Sequence, residues 1–149
     1  VPRLSEVIAA LDALWPADLA ESWDAVGTVC GDPDAEVSRV LFAVDPVQEI
    51  ADEAVRLGAQ LLVTHHPLYL RGTTTVAAST FKGRVVHDLI KNDVALHVAH
   101  TNADRADPGR LRRARRAPST CGSYAPSYRT PPTGTAAAGS AGSASSNTR

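Results

Sequence analysis

Two phrases of the chain put metal-binding side-chain types where a buried strand would end. LLVTHHPLYL (61–70) runs through apolar residues into His65, His66 and Pro67, and LHVAHTNAD (96–104) runs into His100 and closes on Asp104. Neutral imidazole and carboxylate are the usual ligands of borderline divalent ions such as Zn, Fe, Mn, Co or Ni. Adjacent residues of an ideal strand point to opposite faces, so His65 and His66 do not chelate one ion in that geometry. Where the chain turns out of the strand they can face two neighbouring ions instead. Pro67 favours that exit, because it holds His66 extended and brings no ladder N–H. Asp104 is the third expected ligand, with bridging open to it. His100 has three roles open to it: ligand, partner that orients a ligand, or proton donor.

One histidine at a strand end is ordinarily a surface or hydrogen-bonded residue. Two histidine-bearing strand ends on one rim, with a carboxylate after the second, point to a metal. His87 falls on a helix and reads as solvated, whereas His97 falls inside a strand and reads as a packed core residue. Asp24 and Asp45 stand where turn and cap acids belong.

The elements that must position these groups are legible from periodicity. Ser5–Trp15 is expected to be a helix capped by Ser5, with Val7, Ile8, Leu11, Leu14 and Trp15 at helical spacing before Pro16. ESWDAVGTVCGDPDAEV, beginning at Glu21, reads as loop and turn. VLFAVD (40–45) is a short apolar run, as expected of a strand covered on both faces. Asp45, Pro46, Val47 and Gln48 then read as a helix start with an acidic cap. Ile50, Ala51, Ala54 and Val55 supply its buried stripe, and Gly58 closes it. AQLLVTHH is the second strand. Thr80 opens a third helix carrying Val85, Val86, Leu89 and Ile90, and VALHVAHT is the third strand. Strand, helix, strand, helix, strand predicts an α/β fold, a parallel sheet with βαβ crossovers. In such sheets ligands gather beyond the carboxyl ends of the strands, which here are Asp45, His65-His66 and His100 to Asp104.

Composition divides the chain in two. Residues 1–104 carry 7 Lys/Arg against 15 Asp/Glu, a net of −8, while residues 105–149 carry 8 Arg against Asp107 alone, a net of +7. After Gly109 there is no Val, Ile, Phe or Trp and only one leucine. Such a segment cannot bury enough apolar surface to offset roughly 1–2 kcal/mol of backbone entropy per ordered residue. Residues 1–109 are therefore expected to form the domain and 110–149 a disordered, low-complexity tail. The basic run RLRRARR (110–116) lacks the interleaved aromatics of a nucleic-acid-binding arm.

Cys30 and Cys121 are far apart and support neither a disulfide framework nor a thiolate zinc site. No secretion signal and no membrane-length apolar run stands in the sequence, so a cytoplasmic setting is expected. There is no serine-nucleophile elbow, and GDPD is too short and acidic to cradle phosphate. The chain lacks methionine and starts at Val1, as it would with a missing initiator or a valine-type start codon translated literally.

ESWDAVGTVCGD, VLFAVDPVQEIADEAVRLGAQLLVTHHPL and HVAHTNADRADPG together resemble the amino-terminal half of the GTP cyclohydrolase I type 2 homologues. These are also called NIF-three-like dinuclear-metal-centre proteins. The resemblance covers about residues 1–109. It implies an α/β protein of two similar halves, a homo-oligomer built as a hexameric ring, with two divalent metal ions per subunit facing an inner cavity. It places His65, His66 and Asp104 at the ligand positions of the family. The implied function is metal-dependent hydrolysis of a nucleotide or another small molecule, the name pointing to GTP. The alternative is a non-catalytic metal-binding regulatory or scaffold protein on the same ligands. Family members continue past DPG into a second half that returns a further histidine and a glutamate to the metals. Nothing after Gly109 matches, and the Arg, Pro, Ala, Gly and Ser of the tail read as an out-of-frame translation of GC-rich DNA. The expectation is a fragment holding half of a two-metal site, inactive as a hydrolase.

Overall fold

The structure, a computed structural model, describes residues 1–107. The expected disordered tail, 110–149, lies outside the described residues. In chain order the elements are helix α1 (Leu4–Leu14), a 3-10 turn (Ala17–Leu19), strand β1 (Gly27–Cys30), strand β2 (Val40–Ala43) and helix α2 (Gln48–Arg56). Strand β3 (Leu61–Thr64), helix α3 (Phe81–Lys91), strand β4 (Ala95–Val98) and the short helix α4 (Thr101–Asp104) follow.

The sheet order is β1-β4-β3-β2. β2, β3 and β4 run parallel, in the register Val40 to Leu61 to Ala95 at one end and Ala43 to Thr64 to Val98 at the other. The α/β fold built on βαβ units is thus present, and the sheet is mixed because β1 joins β4 antiparallel. β1 is the GTVC that reads as loop: four residues opened by Gly27 and followed by Gly31 carry little strand signal of their own, and pairing with β4 supplies it. Gly31 ends β1 at φ +135°, where a Cβ would stand 2.5 Å from the Ala95 Cβ, so only glycine lets this backbone close on β4.

Burial follows the two-residue period of the central strand. Leu62 faces α2 and α3 in a cluster with Ala51, Ala54, Val85, Val86, Leu89 and Leu96. Leu61 and Val63 face the other way, against Leu4 and Leu11 of α1. β3 and β4 are buried throughout, which is why both read as unbroken apolar runs. β2 is an edge strand with Phe42 59% exposed, so the expected cover on both faces is absent there.

Helix starts differ from expectation in detail. α1 begins at Leu4, and the Arg3 N–H donates to Glu6 Oε2 at 2.7 Å, so Ser5 is not its cap. α2 begins at Gln48 behind Val47, leaving Asp45 free of a capping role. Gln48 Nε2 instead donates to Asp52 and to Asp88 of α3. Thr80 does cap α3, its hydroxyl accepting from the Gly83 N–H at 3.1 Å, and Gly58 ends α2 at φ +62°. Ile90, grouped by sequence with Val85, Val86 and Leu89 on one face of α3, is 54% exposed while those three are buried. Among the described residues no helix is long and apolar enough to cross a membrane.

Candidate metal centre

The parallel register decides what meets at the rim. Ala43, Thr64 and Val98 form the last paired row. The chain continues in step beyond it, with His65 N–H donating to the Ala43 carbonyl, His66 N–H to Val44 and Ala99 N–H to Thr64. Two residues past the last row stand Asp45, His66 and His100. β3 has ended by then: the Thr64 hydroxyl donates to the His66 carbonyl at 3.1 Å and bends the chain. Released from strand alternation, the His65 and His66 rings lie 5.2 Å apart, centroid to centroid, tilted by 46°.

His65, His66 and His100 converge. One ring nitrogen of each lies within 4.8 Å of the others. A common centre then lies within about 2.8 Å of each nitrogen, against about 2.1 Å for a Zn–N bond, so small side-chain rotations bring three ligands onto one ion.

The other ring nitrogens are engaged. His65 Nδ1 lies 3.1 Å from the Ala99 carbonyl oxygen, which can only accept, so this nitrogen carries the proton. His66 Nδ1 donates to Asp45 Oδ1 at 2.7 Å, and His100 Nδ1 to Asp24 Oδ1 at 3.0 Å. All three histidines therefore keep an Nε2 lone pair, with the ring fixed by an acceptor behind it. That is the usual arrangement of a metal-ligating histidine. Asp104 approaches from α4, its Oδ2 3.7 Å from His65 Nε2 and its side chain largely exposed.

Asp24 is the best-held group of the rim. Its side chain is fully inaccessible and accepts from His100 Nδ1, from the Thr101 N–H at 3.1 Å, from the Thr101 hydroxyl and from the Ala25 N–H. Burial would raise its pKa, but these donors outweigh burial and lower it to about 2. It is a permanent carboxylate, suited to orient and polarise His100. Its neighbour Trp23 is 57% exposed and meets the His100 ring edge to face, 6.1 Å between centroids. Further bonds tie this segment to the turn after β4. Glu21 N–H donates to Thr101 Oγ1, Arg105 pairs with Glu21, and the buried Asn102 donates to the Trp15 carbonyl.

The rim thus brings together His65, His66 and His100, with Asp104 at its margin. His87 is exposed on α3, and His97 is a buried core residue whose Nδ1 lies 3.2 Å from Thr28 Oγ1. Asp24 and Asp45, read as turn and cap acids, are instead the carboxylates behind two of the three histidines. For Asp45 the signal was present in the aligned strand ends. For Asp24, 76 residues from His100, local sequence held none.

Comparison with known proteins agrees with this architecture. A GTP cyclohydrolase 1 type 2 homolog of Streptomyces coelicolor is 87% identical over 109 residues, 73% of this chain and 38% of that protein. The homolog of Mycobacterium tuberculosis is 53% identical over 107 residues, 72% of this chain and 28% of that protein. The chain thus spans well under half the length of these relatives. Among solved structures, a Bacillus cereus protein related to NIF3 superposes with a TM-score of 0.68 at 34% identity, covering 72% of this chain and 30% of that one. A Staphylococcus aureus protein superposes at 0.66 and 38% identity, covering 69% and 29%. The family model described as Duf34/NIF3 (NGG1p interacting factor 3) matches residues 2–113, and the chain belongs to that family.

Proposed function

We propose that this chain carries the amino-terminal part of a divalent metal site, in a protein of the metal-dependent hydrolase type that acts on a nucleotide or similar small molecule. One observation carries the reading: one ring nitrogen from each of three histidines converges within 4.8 Å, and every Nδ1 is hydrogen-bonded, which leaves each Nε2 lone pair available to a metal. His65, His66 and Asp104 are the residues that would hold the metal. His100, oriented by Asp24, completes the ligand set or moves a proton at its Nε2. A bound divalent ion supplies Lewis acidity, acidifying water and polarising the substrate. The name shared by the relatives, GTP cyclohydrolase 1 type 2 homolog, supports a purine nucleotide as the substrate class.

Metal analysis of the full chain after gel filtration, following incubation with Zn or Co, tests the site. Retained metal that is lost in His65→Ala supports it, and equal metal in the two overturns it. Release of product from GTP, abolished by the same substitution, supports turnover. Metal retained without turnover supports the alternative, a non-catalytic metal-binding protein.

A further inference from the structure

We propose that Trp23 is an aromatic wall of this site, against which a planar heteroaromatic ring of the ligand stacks while the ligand's anionic end is held at the histidines. The inference rests on the metal-site reading above and deepens it, by assigning the residue that receives the ring of the ligand.

An indole is among the largest apolar surfaces a chain can bury, and Trp23 leaves 57% of its surface in solvent. Its contact with His100, 77° between ring planes, uses part of that ring system and places it beside the convergent histidines. The backbone around it is held in place. On one side Asp24 is bonded to His100 and twice to Thr101; on the other, Glu21 is bonded to Thr101 and Arg105. The groups that hold Trp23 are thus the turn that presents His100 and Asp104. An exposed indole carried on a backbone tied to the ligand-bearing turn, and in contact with His100, offers a stacking surface beside the histidines, and its tied backbone lowers the ordering cost when a ring lands on it.

Base–aromatic stacking changes affinity by about 5- to 150-fold on alanine substitution. GMP and ribose 5-phosphate share the phosphate monoester that a metal attracts, and only the nucleotide carries a base. Neither is a strong chelator, so their affinities for the full, metal-loaded chain, measured side by side by calorimetry, isolate the wall. Wild type should bind GMP at least about fivefold more tightly. Trp23→Ala should remove that preference by weakening GMP alone, and Trp23→Phe, which keeps a ring, should retain most of it. Equal affinities in wild type, or a preference that survives in Trp23→Ala, overturn the wall and leave the metal site standing. Loss of GMP and ribose 5-phosphate binding together in Trp23→Ala assigns Trp23 to the folding of the rim and also overturns the wall. A wild-type chain that takes up no ion overturns the metal reading, and the wall with it.

Discussion

Asp24 and His100, 76 residues apart, meet through a 3.0 Å hydrogen bond that holds the imidazole with Nδ1 protonated and Nε2 free. An inaccessible carboxylate behind a ligating histidine sets its tautomer and raises its basicity, and losing such a partner typically costs 10- to 100-fold in metal affinity. Asp24→Asn should therefore weaken Zn or Co binding by about 10-fold or more while Asp24 itself touches no metal. Competition with a chromogenic chelator measures this. Unchanged affinity would show that His100 is not a ligand.

Coordination arithmetic gives the second expectation. Three imidazoles and one carboxylate satisfy a single four-coordinate ion and are too few for two closed sites. The chain should retain about one weakly bound ion, reduced sharply by His65→Ala, His66→Ala or Asp104→Ala, and unaffected by His87→Ala on the exposed face of α3. Two tightly held ions per chain would mean that further ligands exist.

The rim was legible because chemistry and topology coincide there. Unbroken apolar runs mark the two central strands, and counting two residues past each end reaches His66 and His100. The edges were less legible. β1 has almost no signal of its own and exists because β4 pairs with it. β2 looks as apolar as a covered strand although Phe42 and Val44 face solvent. Capping failed at α2 because Asp45, well placed in sequence to start a helix, is taken by His66. Asp24 was out of reach for a different reason: its role depends on a contact between the first and last parts of the fold.

Gly31 tests the closure of β1 on the sheet. Alanine there combines a φ of +135° with a Cβ 2.5 Å from the Ala95 Cβ and 3.0 Å from Leu4 Cδ2. Backbone strain and overpacking each cost about 1–3 kcal/mol. Gly31→Ala should lower the denaturation midpoint clearly, whereas Gly72→Ala, with open space around its Cβ, should not. Equal effects would mean that β1 is loosely attached.

Phe42 and Val44, 59% and 57% exposed, lie on and just beyond the edge strand β2. An apolar open edge invites pairing with another chain, and a charge on it opposes that. Phe42→Lys should raise solubility and shift gel-filtration elution toward smaller species, at little cost to the folded state. Unchanged elution of an already monomeric wild type would remove the edge as an association site.

His97 gives the fold a pH dependence of known sign. It is 2% exposed in β4, bonded to Thr28, and burial pushes its pKa down, only partly opposed by the charge of Asp12. The unfolded chain titrates this group near the ordinary value of about 6.5. Above that pH both states hold it neutral and its contribution is complete. As pH falls through about 6.5 toward the lower folded value, the unfolded state binds a proton that the folded state refuses, and stability is lost. His97→Gln, which keeps a polar partner for Thr28, should flatten this loss. Urea midpoints of the wild type should fall between pH 7.5 and 5.5 by more than those of the variant. An equal fall in both would show that His97 contributes nothing to the acid sensitivity of the fold.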